Sequence, residues 1–188
     1  TRGLKESAAD YYRKAIGFIE ENNLSKFSLP ILYSELATVL IDTGRYEEAA
    51  EELEKGKARL TLPEYIWPLK LKQVILYSRT GRSAEARTLF DRIRQGHGGY
   101  LTTASLTEAQ LAIDLAEHEF GKALATLDKL IGLFKETGHS ETYFYKLFQT
   151  RAEAYAETGN YEAAYKSQKH YLDLYRKKVG DDNERTLG

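Results

Sequence analysis

Four histidines, His97, His118, His139 and His170, are the side chains of this 188-residue chain best suited to move a proton near neutral pH or to ligate a metal ion. No two of them stand four residues apart on one helix, the spacing that turns two imidazoles toward one metal. The chain has no cysteine, which excludes disulfides, thiolate metal sites and cysteine nucleophiles, and is compatible with a reducing or an oxidising compartment. The glycine-rich run RQGHGGY lacks both the preceding strand and the spacing of a phosphate-binding loop. Nothing has the form of a nucleophile elbow. The acidic run Glu47, Glu48, Glu51, Glu52 and Glu54 is followed by Lys55 and Lys57, the pattern of a solvated helix face. The expectation is therefore no catalytic residue, no metal and no cofactor.

The elements that must carry a function are helices. Lysine and arginine number 27 against 28 acidic residues, a net charge of −1 that leaves no footprint for nucleic acid. No apolar run reaches the roughly 18 residues that a membrane span needs. The chain starts at Thr1 and contains no methionine, so it reads as a piece of something longer, with any signal or anchor lying outside it. The compartment is left open, the cytoplasm being favoured and the periplasm allowed if a signal or anchor has been removed.

One phrase recurs: TGRYEEAAEEL from Thr43, TGRSAEARTLF from Thr80, HEFGKALATL from His118 and TGNYEAAYKSQ from Thr158. Its turn residues Gly44, Gly81, His118 and Gly159 are 37, 37 and 41 residues apart. Each is followed five positions later by a small residue, Ala49, Ala86, Ala123 and Ala164. Such a period marks stacked helix pairs, because one pair cannot bury its apolar face alone. The apolar spacing predicts helices over 4–22, with Leu4, Ala8, Tyr12, Ala15, Ile16 and Ile19 on one face, then over 29–42 and 46–59. Ser28 is the expected N-cap of the second of these, with Pro30 in its first turn. Pro63 and Pro68 predict a connector before helices at 69–79 and 83–94. Further pairs follow at 103–117 with 120–135 and at 141–157 with 161–178, and Gly180 is expected to end the last helix before Asp181 or Asp182 caps a new one.

These residues resemble the tetratricopeptide repeat. Counting the turn residue as position 15, Tyr33, Leu36, Ala37, Leu40, Gly44, Tyr46, Ala49, Leu53 and Gly56 stand at the positions where that family carries its large, small and aromatic residues. Phe148, Ala152, Tyr155, Gly159, Tyr161 and Ala164 repeat the pattern. The second repeat keeps Val74, Tyr77, Gly81, Ala86 and Phe90; the third has Asp114 in place of an aromatic and His118 in place of glycine. The resemblance implies an all-α, right-handed superhelical array of antiparallel helix pairs in one domain over residues 1–180. Residues 1–24 would hold the second helix of a partial repeat, with Ala8, Tyr12 and Ala15 at its packing positions. Full repeats follow at 29–60, 66–95, 103–136 and 141–178, and residues 181–188 would start a connector helix.

The family binds proteins and peptides on the concave face formed by the first helix of each repeat. Carried onto this sequence, that face holds Ile31, Ser34, Thr38 and Ile41, then Leu71, Ile75 and Arg79, then Glu108 and Leu115, and finally Gln149 and Glu153. The lysine and asparagine by which some relatives clamp a partner's terminal carboxylate are missing: Ser34, Thr38, Leu71 and Ile75 stand there. The apolar strip Ile31, Ile41, Leu71, Ile75 and Leu115 suits an amphipathic helix or extended peptide, or else packs against neighbouring helices. Near the C-terminus, Tyr161, Ala164, Lys169, His170, Tyr171, Leu174, Asn183 and Glu184 resemble the exit helix upstream of output domains in bacterial signalling proteins, diguanylate cyclases of the GGDEF type and sensor histidine kinases. This implies a non-catalytic sensory or regulatory region; a free-standing adaptor or assembly factor is the alternative. A homodimer is left open.

Overall fold

The structure, a computed structural model, describes residues 2–22, 28–60, 62–96 and 98–187. Among them are nine helices: α1 (Arg2–Glu21), α2 (Leu29–Asp42), α3 (Tyr46–Arg59), α4 (Pro63–Arg79), α5 (Ser83–Gly96), α6 (Thr103–Ala116), α7 (Phe120–Glu136), α8 (Lys146–Glu157) and α9 (Tyr161–Leu187). The fold is all-α, and the described residues contain no strand. The chain divides into two compact units, Thr1–Ala116 with α1 to α6 and Glu117–Gly188 with α7 to α9. The third expected repeat, 103–136, thus has its first helix in one unit and its second in the other.

The recurrent phrase is the turn between successive helices. Gly44, Gly81 and Gly159 adopt φ of 74°, 75° and 78°, the left-handed conformation that ends a helix without a Cβ clash. His118 takes the same conformation, φ 57°, without glycine's freedom. The Arg45 amide reaches back to the Leu40 carbonyl (2.9 Å), Arg82 to Tyr77 (2.9 Å) and Asn160 to Tyr155 (2.9 Å), which satisfies carbonyls that the helix end would orphan. The same turns are closed by side chains three residues apart: Arg45 on Glu48 at 2.6 and 2.7 Å, Arg82 on Glu85 at 2.6 and 2.5 Å. In the last turn the Ala163 amide donates to Asn160 Oδ1 at 3.2 Å.

Within the first unit, α2 pairs with α3 and α4 with α5, and α4 packs against both α2 and α6. One cluster buries Tyr33, Leu36, Ala37 and Leu40 of α2 with Ala49 and Leu53 of α3 and Leu69 of α4. Gly56 permits this approach, since a Cβ there would lie 2.6 Å from Leu69 Cδ2 and 2.9 Å from Tyr33 Cγ. A second cluster joins Leu71 and Val74 to Ala86, Phe90 and Ile93 of α5 and to Ala109 and Ile113 of α6. In the second unit α8 packs on α7 and α9, burying Ile131, Phe144 and Phe148 beside Phe134, Tyr171 and Leu174.

The structure departs from the sequence expectations at five places. α4 begins at Pro63 and runs through Pro68, so there is no connector up to 68. Pro63 suits a first-turn position, and Pro68 forfeits one hydrogen bond, which the burial of Leu69 and Val74 outweighs. α8 begins at Lys146 rather than at Glu141, because 141–145 form successive turns around the buried Phe144. α9 does not stop at Gly180: it continues through Asp181 and Asp182 as a single helix of 27 residues. Among the described side chains of α1 the buried residues are Ala9 and Ile16 with Tyr12 and Ile19 against them, a 3-4-3 series one step away from the Ala8 and Ala15 register. Ser28 occupies the N-cap of α2 but makes no side-chain cap bond.

Candidate functional site

In the first unit α4 packs between α2 and α6. Ile31 is 65% exposed on α2, and Thr38, two turns on, is half-buried, its hydroxyl donating to the Ser34 carbonyl at 2.9 Å. Ser34 itself is buried, as are Ile41 and Leu71. Ile41 belongs to the α1–α4 cluster and Leu71 to the α4–α6 cluster, so both hold helices together. On α4, Ile75 is half-buried between the two clusters and Arg79 is exposed. On α6, Glu108 is exposed and Leu115 half-buried. Lys72 Nζ of α4 lies 3.7 Å from Glu108 Oε2 and bridges the two helices at the surface. The face therefore offers spaced aliphatic groups, Ile31, Ile75 and Leu115, among Thr38, Arg79 and the Lys72–Glu108 pair.

Gln149 and Glu153 lie on α8 in the second unit, both exposed, with Gln149 Nε2 donating to Glu153 Oε1 at 3.1 Å. Their neighbourhood is aromatic. Tyr145 stacks on Tyr171 at 5.8 Å, Tyr171 on Tyr175 at 6.1 Å, and His170 meets Phe148 edge-on at 4.4 Å. The His170 ring also reaches Glu141 Oε2 at 2.9 Å, while Lys135 Nζ holds Glu141 Oε1 at 2.8 Å. Lys135 above all, with His170 adding to it, holds the Glu141 carboxyl below the usual carboxylate range. In the first unit Arg45 and Arg13 lower the Glu48 carboxyl to about 2. Arg13 extends from α1 to Glu48 (2.9 Å) and Glu52 (3.3 Å), so these charges join α1 to α3.

The histidines do not converge. His139 tilts against Tyr143 at 4.6 Å, His118 sits in its turn against Phe120, and His97 lies outside the described residues. Among the described residues no group of three histidine, aspartate or glutamate side chains is placed to hold a metal ion, and no helix is long and apolar enough to cross a membrane.

A family model described as tetratricopeptide repeat matches residues 30–55 and 71–92, and a second of the same description matches residues 145–178. The chain carries tetratricopeptide repeats. No curated protein matches it. The matched segments cover α2 with most of α3, the second half of α4 with most of α5, and α8 with α9 as far as Lys178. Tetratricopeptide repeats are generally non-catalytic and bind proteins or peptides, so the matched segments suggest a protein-interaction module.

The sequence reading missed Lys72, whose charge reaches the surface pair with Glu108 although it follows the buried Leu71. Its signal was present: one residue along a helix turns the side chain by about 100°, from the packing seam to its rim. The replacement of a repeat aromatic by Asp114 is compensated locally. Asp114 is buried, accepts a hydrogen bond from Gln110 at 2.5 Å and has Arg87 of α5 at 4.0 Å.

Proposed function

We propose that the surface of α2, α4 and α6 captures an amphipathic helix or extended peptide. The observation that carries this reading is the set of apolar side chains left at that surface, Ile31, Ile75 and Leu115, set among Arg79 and the Lys72–Glu108 pair. Spaced aliphatic anchors with mixed charge suit a ligand that buries one face and leaves the other in water. Ile41, Leu71 and Ser34 support the surface from below. Gln149 and Glu153 on α8 provide a separate polar face.

Selection of a displayed peptide library on the whole chain tests this. The enriched peptides are expected to lose at least about tenfold in affinity on Ile75→Asp and on Ile31→Asp, with circular dichroism unchanged, since truncating an interface anchor costs more than about 1 kcal/mol. Leu71→Asp would instead unfold the repeat, because it places a charge in the α4–α6 cluster. Enriched peptides that bind both surface variants as tightly as the parent would move the site elsewhere.

A regulatory role in a bacterial signalling protein is the narrower proposal. Its support is the resemblance around Tyr161 to Glu184, together with the unbroken course of α9, since a continuous helix transmits a rotation or shift along its length.

A further inference from the structure

α9 uses one side to pack on α8, with Ser167 buried and His170, Tyr171 and Leu174 against Phe148. Another side carries a second apolar series. Tyr161, Tyr165, Gln168, Leu172, Tyr175 and Val179 follow one another at intervals of 4, 3, 4, 3 and 4, the a/d spacing of a coiled-coil seam. Most of this seam is open: Tyr161 is 73% exposed, Tyr165 69%, Leu172 40% and Val179 39%, while Tyr175 is half-buried with its ring beside Tyr145. Counted from the turn glycine, Tyr161 stands where α3 carries Tyr46, which packs against the buried cluster of α1 to α4. A residue type that α3 covers with a neighbouring helix stands uncovered on α9.

We infer that the α9 seam is a self-association surface, in which a second copy of this chain lays its own α9 antiparallel across the first. The flanking charges select both the occupant and its direction. With Tyr165, Leu172 and Val179 at a and Tyr161, Gln168 and Tyr175 at d, the e positions hold Glu162, Lys169 and Arg176. Antiparallel helices face e toward e. Alignment of the a/d layers then sets Tyr161 against Val179, Tyr165 against Tyr175 and Gln168 against Leu172, each twice about a two-fold axis. The same alignment brings Glu162 of each copy beside Arg176 of the other, and sets Lys169 against Lys169 of the other copy at the axis, one like-charge contact against two attractive pairs. A parallel pair would set Lys169 and Arg176 opposite Ala164 and Tyr171 and match no charges. Gln168, polar in an otherwise apolar seam, fixes the register at some cost in stability. The seam from Tyr161 to Val179 runs about 27 Å, long enough for three layers repeated by symmetry.

Analytical ultracentrifugation of the whole chain over the micromolar range tests the inference. The mass is expected to rise from one chain of 21.4 kDa toward two. Leu172→Glu should leave a helical monomer throughout, since Leu172 lies at the surface and takes no part in the α8 contact. Glu162→Arg alone and Arg176→Glu alone should each weaken the dimer about tenfold, because each removes two symmetry-related pairs. An equimolar mixture of those two variants should recover the parent's affinity, because the mixed dimer restores both pairs. A monomer at every concentration overturns the inference, as does a dimer indifferent to Leu172→Glu. Single charge variants that associate as tightly as the parent, or a mixture no tighter than either variant alone, overturn the antiparallel arrangement.

Discussion

His118 holds the left-handed turn conformation, φ 57°, that glycine holds in the other three recurrent turns. A side chain with a Cβ pays roughly 1 kcal/mol or more for that conformation. His118→Gly should therefore stabilise the chain by about 1 kcal/mol, less the entropy glycine adds to the unfolded chain, and the midpoint of urea denaturation reads the change. A lowered midpoint would show that the edge-on contact of His118 with Phe120, at 5.7 Å, outweighs the backbone strain. The turn was legible in the sequence because its residues act locally: glycine ends the helix, and the arginine after it reaches the glutamate three residues on. The fates of Ile41 and Leu71 were not legible. Both stand at register positions assigned to the concave face, and only the distance between neighbouring helices decides that they are covered.

At the scale of elements, α2 and α3 have the predicted limits, since the apolar period and the glycine turn between them agree. Local rules failed on α4 and α9, where Pro68 and Gly180 were expected to interrupt and the helices continue. A proline in the second turn removes one hydrogen bond, which the burial of Leu69 and Val74 outweighs, and a glycine in a helix costs only about 1 kcal/mol. Helix spacing is set more firmly by Gly56. Alanine is the better helix former by about 1 kcal/mol, but its Cβ would lie 2.6 Å from Leu69 Cδ2 and 2.9 Å from the Tyr33 ring. Gly56→Ala should destabilise the chain by about 1–3 kcal/mol as α3 is pushed from its neighbours. Gly132→Ala, with nothing within 4 Å of the added Cβ, should gain stability and serves as the control. Equal responses of the two variants in thermal denaturation would mean that propensity, and not close approach, governs position 56.

For the whole molecule, repeats made stability legible in kind, as stacked local pairs, but not its dependence on pH, which rests on where single hydroxyls and carboxyls end up. Of the 14 tyrosines, Tyr33 has its ring buried between α2, α3 and α4 and its hydroxyl 3.3 Å from Glu20 Oε1. Burial first, and then the negative charge of Glu20, push its pKa up to about 12 from an ordinary value of 10.0. The fold thus favours the neutral phenol. Its contribution is complete below pH 10, the unfolded value, and is lost as the pH rises from about 10 to about 12. Ionisation of the unfolded chain over that window takes away about 2–3 kcal/mol, because each tenfold preference for the protonated phenol is worth about 1.36 kcal/mol. Tyr33→Phe keeps the ring and has no proton to lose. Thermal midpoints measured from pH 9 to 12 should fall less steeply in Tyr33→Phe than in the parent, while the other tyrosines and the lysines titrate alike in both. Parallel curves would show that the Tyr33 hydroxyl is hydrated, and that the alkaline limit of this chain is set by the remaining charges.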